Sequence, residues 1–268
     1  MKVLYAAAEI SPFAKMTNTA DLLRFLPASL QDKGFEIRLL LPKYGTINDR
    51  RNRLHEVIRL SGIKVQVGDQ EETMRIKVAS IPNAKLQVYF LDNDTYFKRK
   101  ALFKNPKTDK FYKDNDQRLV FYNKGLLETI RELGWNPDII HCHDWPSGLL
   151  PMLVKECYKD DELLNNSKVI YNLHHPENDG IFDASILDHI SLPDHLEKES
   201  LLNDQGQVDL REIGLKYADY VVVGNDINTQ LDGEFERLGV EPYRIQGAPQ
   251  DVSSQFAEFY NSIAGENE

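Results

Sequence analysis

The chain has 268 residues, enough to bury a core without help from metals or disulfides. Its 42 acidic against 32 basic side chains give a formal charge of −10, which argues against DNA or RNA as a general partner. Two cysteines, Cys142 and Cys157, cannot build a disulfide framework, and their setting reads as reduced and cytoplasmic.

Lys2 to Ala8 is an apolar run of strand length. Glu9 interrupts it as a secretion signal, and no apolar run approaches the ~18 residues of a membrane span, so a first buried strand is expected. A polar turn from Ser11 to Thr19 follows, then Ala20, Leu22, Leu23, Phe25, Leu26 and Leu30 recur at helical spacing until Gly34. Glu36 to Leu41 is predicted as the second strand. Between Arg53 and Leu91 the pattern shifts to short segments, Val57 to Leu60, Ile63 to Val67, Met74 to Val78 and Leu86 to Phe90, broken by Gly62, Gly68-Asp69 and Pro82-Asn83. These predict added hairpins on the same domain.

Asp92 to Lys113 reads as a solvated loop with seven basic residues, Lys98, Arg99, Lys100, Lys104, Lys107, Lys110 and Lys113. Asp116 to Leu133 has the apolar period of an amphipathic helix closed by Gly134. Asp138 to His141 is a strand, His143 to Pro146 a turn, Ser147 to Cys157 a helix, and Val169 to Asn172 the next strand. The helix Leu210 to Ala218 feeds a last strand, Tyr220 to Gly224, and Ala264 to Glu268 reads as a frayed end. Strands alternating with helices define the α/β class, a Rossmann-like open parallel sheet with helices on both faces and an added β-hairpin region. Ligands of such sheets bind beyond the carboxyl ends of the strands, which singles out the loops 11–19, 143–147 and 173–182.

Three of these segments carry candidate chemistry. Lys15 stands between a strand and a helix, where a cation and free backbone N–H groups can hold a phosphate. The glycines that allow close approach are absent, because Met16, Thr17, Asn18 and Thr19 follow; the competing reading is a capped helix start. His141-Cys142-His143-Asp144 puts two imidazoles on one strand face, a metal-like pattern that lacks further ligand spacing unless His174-His175 converges on it. Structural or substrate-contacting histidines are the favoured reading, with no metal and no cofactor assigned. Trp145 can stack on a sugar or base face, or pack inside. Cys142 lacks a glycine-rich elbow, which argues against nucleophilic hydrolysis.

Ala8 to Lys15 with Ala20-Asp21 and Leu26-Pro27, Arg38 to Tyr44, Asp114 to Arg118, Asp138 to Trp145, and Lys216 to Asp219 occur in this order. Together they resemble the amino-terminal catalytic domain of glycogen and starch synthases, retaining glucosyltransferases that use ADP-glucose and adopt the two-Rossmann-domain GT-B fold. The resemblance implies a domain over residues 1–240 and a carboxy-terminal extension, 241–268, whose helix (Val252 to Ile263) packs back on it. It also implies substrate contacts at Lys15, Thr17, Asn18, His143, Asp144, Trp145, Tyr171 and Asn172.

Three departures from the family bear on activity. Thr17 and Asn18 replace the glycines of the family's Lys-Thr-Gly-Gly-Leu loop and crowd the approach of donor phosphates. Tyr171 stands where the family's His-Asn-Leu motif places the histidine that touches the transferred glucose, so no catalytic residue is assigned; His174 and His175 lie close by. The family's second domain, with its cationic clamp on the diphosphate, is not in these residues. The expectation is a degenerate homologue that binds an α-glucan, a maltooligosaccharide or a partner protein, takes ADP-glucose weakly, and transfers little alone. Nucleic acid and membrane are not expected as partners. The alternatives are an active glucosyltransferase with a donor domain supplied in trans, and a metal-dependent hydrolase using His141, His143, Asp144 and His174.

Overall fold

A computed structural model describes residues 1–82, 84, 86–175, 177, 179–224, 227, 231–248 and 251–265. Three sequence expectations fall partly outside them: the turn at Asn83, the 173–182 loop at Pro176 and Asn178, and the frayed end at residues 266–268.

In chain order, β1 (Lys2–Ala6) runs through a polar loop into α1 (Thr19–Asp32) and β2 (Glu36–Pro42). A short helix, α2 (Asp49–Asn52), leads to β3 (His55–Glu56), β4 (Ile63–Val67), β5 (Gln70–Ser80) and β6 (Gln87–Asp92). Next come α3 (Asp94–Phe97), α4 (Asn115–Leu133), β7 (Ile139–His143), α5 (Leu149–Met152) and β8 (Lys168–Leu173). The chain continues through β9 (Ile181–Asp183), β10 (Gln207–Asp209), α6 (Leu210–Tyr217) and β11 (Tyr220–Val223). It closes with α7 (Asp232–Leu238), β12 (Tyr243–Arg244) and α8 (Ser253–Gly265).

The main sheet has the order β12-β11-β8-β7-β1-β2-β6-β5-β3, with β4 paired to β5. Pairing is parallel from β12 to β6 and antiparallel where β5 meets β6, β3 and β4. The molecule is thus α/β, a Rossmann-like sheet extended by hairpins. Strands covered on both faces need side chains that tolerate burial everywhere, and Val3, Leu4, Tyr5 and Ala6 are all fully buried.

Register assigns the two faces. Tyr5 pairs with His141, and both rings lie against Tyr260 of α8, so α8 shares a face with α1. Cys142 pairs with Tyr171 on the opposite face, where α4, α5 and α6 pack. There Gly214 of α6 lies directly on the Tyr171 ring, and a Cβ at that glycine would stand 2.6 Å from two ring carbons.

Two of the resembling motifs act as fasteners. Asp114 takes both guanidinium nitrogens of Arg99 at 2.5 and 2.6 Å, while the buried Arg118 donates to the Tyr96 carbonyl and Asn115. This ties the basic 92–113 segment, which contains α3, onto the first turns of α4. Asp219 accepts the Val169 N–H at 2.7 Å and pairs with Lys155, locking β11 to β8 and the chain after α5.

Two predicted elements differ. Val57 to Leu60 does not form a strand; Ile58–Leu60 is a 3₁₀ turn in which only Leu60 is buried, so no alternating face exists to pair. The expected helix from Ser147 to Cys157 divides into a 3₁₀ turn (Trp145–Ser147), α5 and a π-helical turn (Leu153–Cys157), with Pro151 lacking the N–H that regular helix would use.

Candidate functional site

From β1 the chain moves outward to β2 and β6, then returns to β7 on the other side of β1. Loops that leave adjacent strands in opposite directions open a crevice beyond their carboxyl ends. Two neighbouring cavities occupy that position. One, of ≈180 Å³, lies over β1 and β7 and is lined by Glu9, Thr17, His143, Asp144 and Trp145 with Arg211. The other, of ≈310 Å³, lies between the start of α1, the ends of β8 and β11, and the start of α8. Thr19 and His175 line both.

The loop after β1 is closed on its own carboxylates. The Met16 N–H, the Thr17 N–H (2.9 Å) and the Thr17 hydroxyl all donate to buried Glu9. Lys15 reaches Asp21 at 2.6 Å, and Asp21 also accepts from the Ser11 hydroxyl at 2.7 Å. The Lys15 hydrogen bond, followed by that from Ser11, holds the Asp21 carboxyl below the usual carboxylate range. Asn18 occupies the N-cap position of α1 without a side-chain cap bond, while the Thr17 hydroxyl accepts the Thr19 N–H at 3.1 Å.

Asp144 joins this loop to the strand ends. Its carboxylate accepts the His174 N–H at 2.8 Å and the Thr19 hydroxyl at 3.2 Å, and its own N–H donates to the Asn172 carbonyl at 2.9 Å. These bonds hold a backbone at φ 55°, ψ −179°, a region that costs a non-glycine residue on the order of 1–3 kcal/mol.

The histidines fall into distinct roles. Asn172 donates to the Val222 carbonyl at 3.1 Å, which leaves its oxygen to accept from His141 Nε2–H at 3.2 Å. His141 Nδ1 therefore accepts from the Tyr260 hydroxyl at 2.5 Å, which in turn accepts from Tyr5 at 2.7 Å. This directed chain requires a neutral His141, and burial, with His174 nearby, pushes its pKa down to about 3. His143 is buried too, bonded to His174 Nε2 at 2.9 Å, and burial holds it well below the usual histidine range. These imidazoles bind one another, Tyr260 and Asn172, and among the described residues no group of three or more His, Cys, Asp or Glu side chains is arranged to hold a metal ion. The metal-dependent hydrolase reading therefore finds no support in the geometry.

The remaining sequence candidates separate clearly. Asn18 and Asn172 line the larger cavity; Thr17, His143, Asp144 and Trp145 line the smaller. Trp145 both packs and borders a cavity: its ring centroid lies 4.7 Å from Phe103, with Phe111 and Phe182 beyond. Lys15 lines neither cavity. Tyr171 also lines neither; it is fully buried under α6 with its hydroxyl unpartnered, because strand alternation turns it to the face away from α8. The sequence reading passed over Glu9, Thr19, Glu177, Asp179 and Arg211. Glu9 alone left a local signal, a carboxylate at a strand end just before a loop rich in free N–H groups.

A Rossmann-like α/β domain with its crevice at the switch point of the sheet is the class that fold and site define. The family model described as the starch synthase catalytic domain matches residues 2–226. Glycogen synthase of Chlorobium limicola is 37% identical over 262 residues, 98% of this chain and 53% of the relative. Glycogen synthase of Chlorobaculum tepidum is 40% identical over 228 residues, 84% of this chain and 46% of the relative. The solved catalytic domain of starch synthase IV from Arabidopsis thaliana, bound to ADP and acarbose, superposes with a TM-score of 0.75 at 20% identity, covering 94% of this chain and 52% of that one. The chain belongs to the glycogen/starch synthase family of glycosyltransferases. Its fold is that of one Rossmann-like half of the GT-B architecture, and it spans about half the length of the curated relatives it matches. No helix among the described residues is long and apolar enough to cross a membrane.

Proposed function

We propose that this chain binds α-glucan or maltooligosaccharide in the crevice over β1, β7 and β8 in the cytoplasm, takes ADP-glucose only weakly, and transfers little glucose by itself. The observation that carries this reading is the charge of the smaller cavity. Among the described residues Glu9, Asp144, Glu177 and Asp179 line it against one lining cation, Arg211, which already pairs with Glu234 at 2.9 Å; Asp179 has a counter-charge outside the lining, Lys104 at 3.1 Å. A neutral polyol brings O–H donors that carboxylates accept, whereas a diphosphate meets repulsion in a partly desolvated site. Lys15 and the loop N–H groups, which could have offset that repulsion, are engaged by Asp21 and Glu9. Trp145 adds an aromatic wall suited to a sugar ring.

Calorimetry with maltoheptaose and with ADP-glucose tests this. Maltoheptaose is expected to bind about tenfold or more tightly than ADP-glucose, a difference of ~1.4 kcal/mol. Tighter binding of ADP-glucose, or no heat from maltoheptaose at millimolar concentration, overturns the reading.

A second reading is favoured by the length of the relatives, about twice the span matched here. In it the domain supports ADP-glucose:glucan transfer once a partner polypeptide supplies the donor-binding half. Incorporation of radiolabelled glucose from ADP-glucose into glycogen, absent alone but present with cell extract, is its signature; absence in both ends it.

A further inference from the structure

Thr19 has a single hydroxyl proton and two neighbours at 3.2 Å, Asp144 Oδ2 and His175 Nε2. A carboxylate only accepts, so the Thr19 proton goes to Asp144 and the remaining bond must run from His175 Nε2–H to the Thr19 oxygen. For the neutral imidazole that fixes the tautomer of His175. Nδ1 is left as a lone-pair acceptor, and no described residue takes it up. The ring is half-buried, and with Thr19 it forms the partition between the two cavities.

Its neighbours are placed differently. His174 borders the larger cavity and His143 the smaller, but they are only 8% and 2% exposed and bonded to each other, while Tyr171 is sealed under Gly214 on the opposite face of the sheet. We infer that His175 is the imidazole that meets ligand in this crevice, its Nε2–H anchored on the Thr19–Asp144 pair and its Nδ1 accepting a hydroxyl proton from a sugar. An acceptor with a fixed direction beside several carboxylates selects for a ligand rich in O–H donors rather than for an anion. The inference rests on the glucan reading above and adds to it the residue that reads the hydroxyl.

Long-range ¹H–¹⁵N NMR of the imidazoles tests the anchor directly. His175 is expected as the Nε2–H form at neutral pH, with Nδ1 shifting when maltoheptaose is added; an Nδ1–H tautomer overturns the assignment. Calorimetry on variants tests the contact. His175→Ala should weaken maltoheptaose roughly fivefold, the scale of one hydrogen bond, with melting lowered only slightly through loss of the Thr19 bond. His175→Asn keeps an acceptor near Nδ1 and should recover part of the affinity. His175→Gln reproduces only the donor toward Thr19 and should not. Wild-type binding that His175→Ala leaves intact overturns the His175 assignment alone. Failure of the wild type to bind maltoheptaose overturns the glucan reading and this assignment with it.

Discussion

The loop after β1 and the ends of β7 and β8 face the same crevice, yet they dispose of their polar groups in opposite ways. In the loop, two backbone N–H groups, a hydroxyl and an ammonium turn back onto Glu9 and Asp21. At the strand ends, His141, His143 and His174 bond one another or their neighbours, but His143 Nε2 is left without a partner, and His143, Asp144 and His175 stand at the wall of the smaller cavity. The resemblance to the family places expected substrate contacts in both regions. Both regions line the smaller cavity, but among the described residues it is the strand ends that keep unpartnered ring nitrogens there, His143 Nε2 and His175 Nδ1.

Acid should separate the two regions most strongly. His141 and His143 are held neutral in the folded chain, with His141 at about 3, whereas in the unfolded chain they take up protons near pH 6.5. Between these values the unfolded state binds more protons, so stability falls as pH drops from about 6.5 toward 3. The slope is about 1.4 kcal/mol per pH unit for each histidine in that window. Asp21, with a lowered value, contributes in full above its unfolded value near ~3.9, and that contribution is lost only as pH falls from there through its lower folded value. Urea denaturation at pH 7.0, 5.5 and 4.5 therefore reads the strand ends and not the loop. A flat stability across those three points rules out neutral burial of the two imidazoles, and His141→Gln should make the slope shallower.

Packing beneath the strand ends gives the next effect. At Gly214 an added Cβ would press on the Tyr171 ring at 2.6 Å, and neither the buried ring nor α6 has room to yield. Gly214→Val is expected to destabilise by about 2–3 kcal/mol, the upper range of overpacking, measured by chemical denaturation. A change below ~1 kcal/mol would mean that Tyr171 can swing out of its slot, and would return it to the list of ligand contacts.

The alternation of apolar strands and amphipathic helices made β1, α1, β2, α4, β7, β8 and β11 legible in the sequence. The β9–β10 pair was not, because three-residue strands carry too few positions to show a period. The site was legible by position and not by direction. Register places Tyr171 beside Cys142, but which face of the sheet bears the crevice depends on where α6 and α8 pack, and no local pattern states that. The bond between Thr19 and His175 spans 156 residues of sequence and leaves no trace in either neighbourhood. The closure of the loop on Glu9 likewise depends on how residues 9–17 fold back, although both partners lie close in the chain.

Glu9→Gln breaks the loop's closure at its centre. The amide offers one acceptor oxygen where the carboxylate serves three donors, so at least the Thr17 hydroxyl or a backbone N–H loses its partner in a part-buried setting. The expected loss is about 1–3 kcal/mol of stability. The freed N–H groups and the lost negative charge should narrow the preference for maltoheptaose over ADP-glucose. An unchanged ratio of the two affinities would show that repulsion from the remaining carboxylates, and not closure of the loop, governs donor exclusion.

Lys15→Ala should have the smallest effect, and the contrast between the two regions depends on it. Its ammonium pairs with Asp21 in a half-exposed bridge, a class of interaction that contributes about 0–1 kcal/mol. Because Lys15 lines neither cavity, maltoheptaose affinity should not change. Asp21, which does line the larger cavity, would lose its counter-charge, so weak ADP-glucose binding should become weaker still. Complete loss of an otherwise robust ADP-glucose affinity would show the opposite: that Lys15 leaves Asp21 for the diphosphate when donor arrives, and that the loop closed in this structure opens for its ligand.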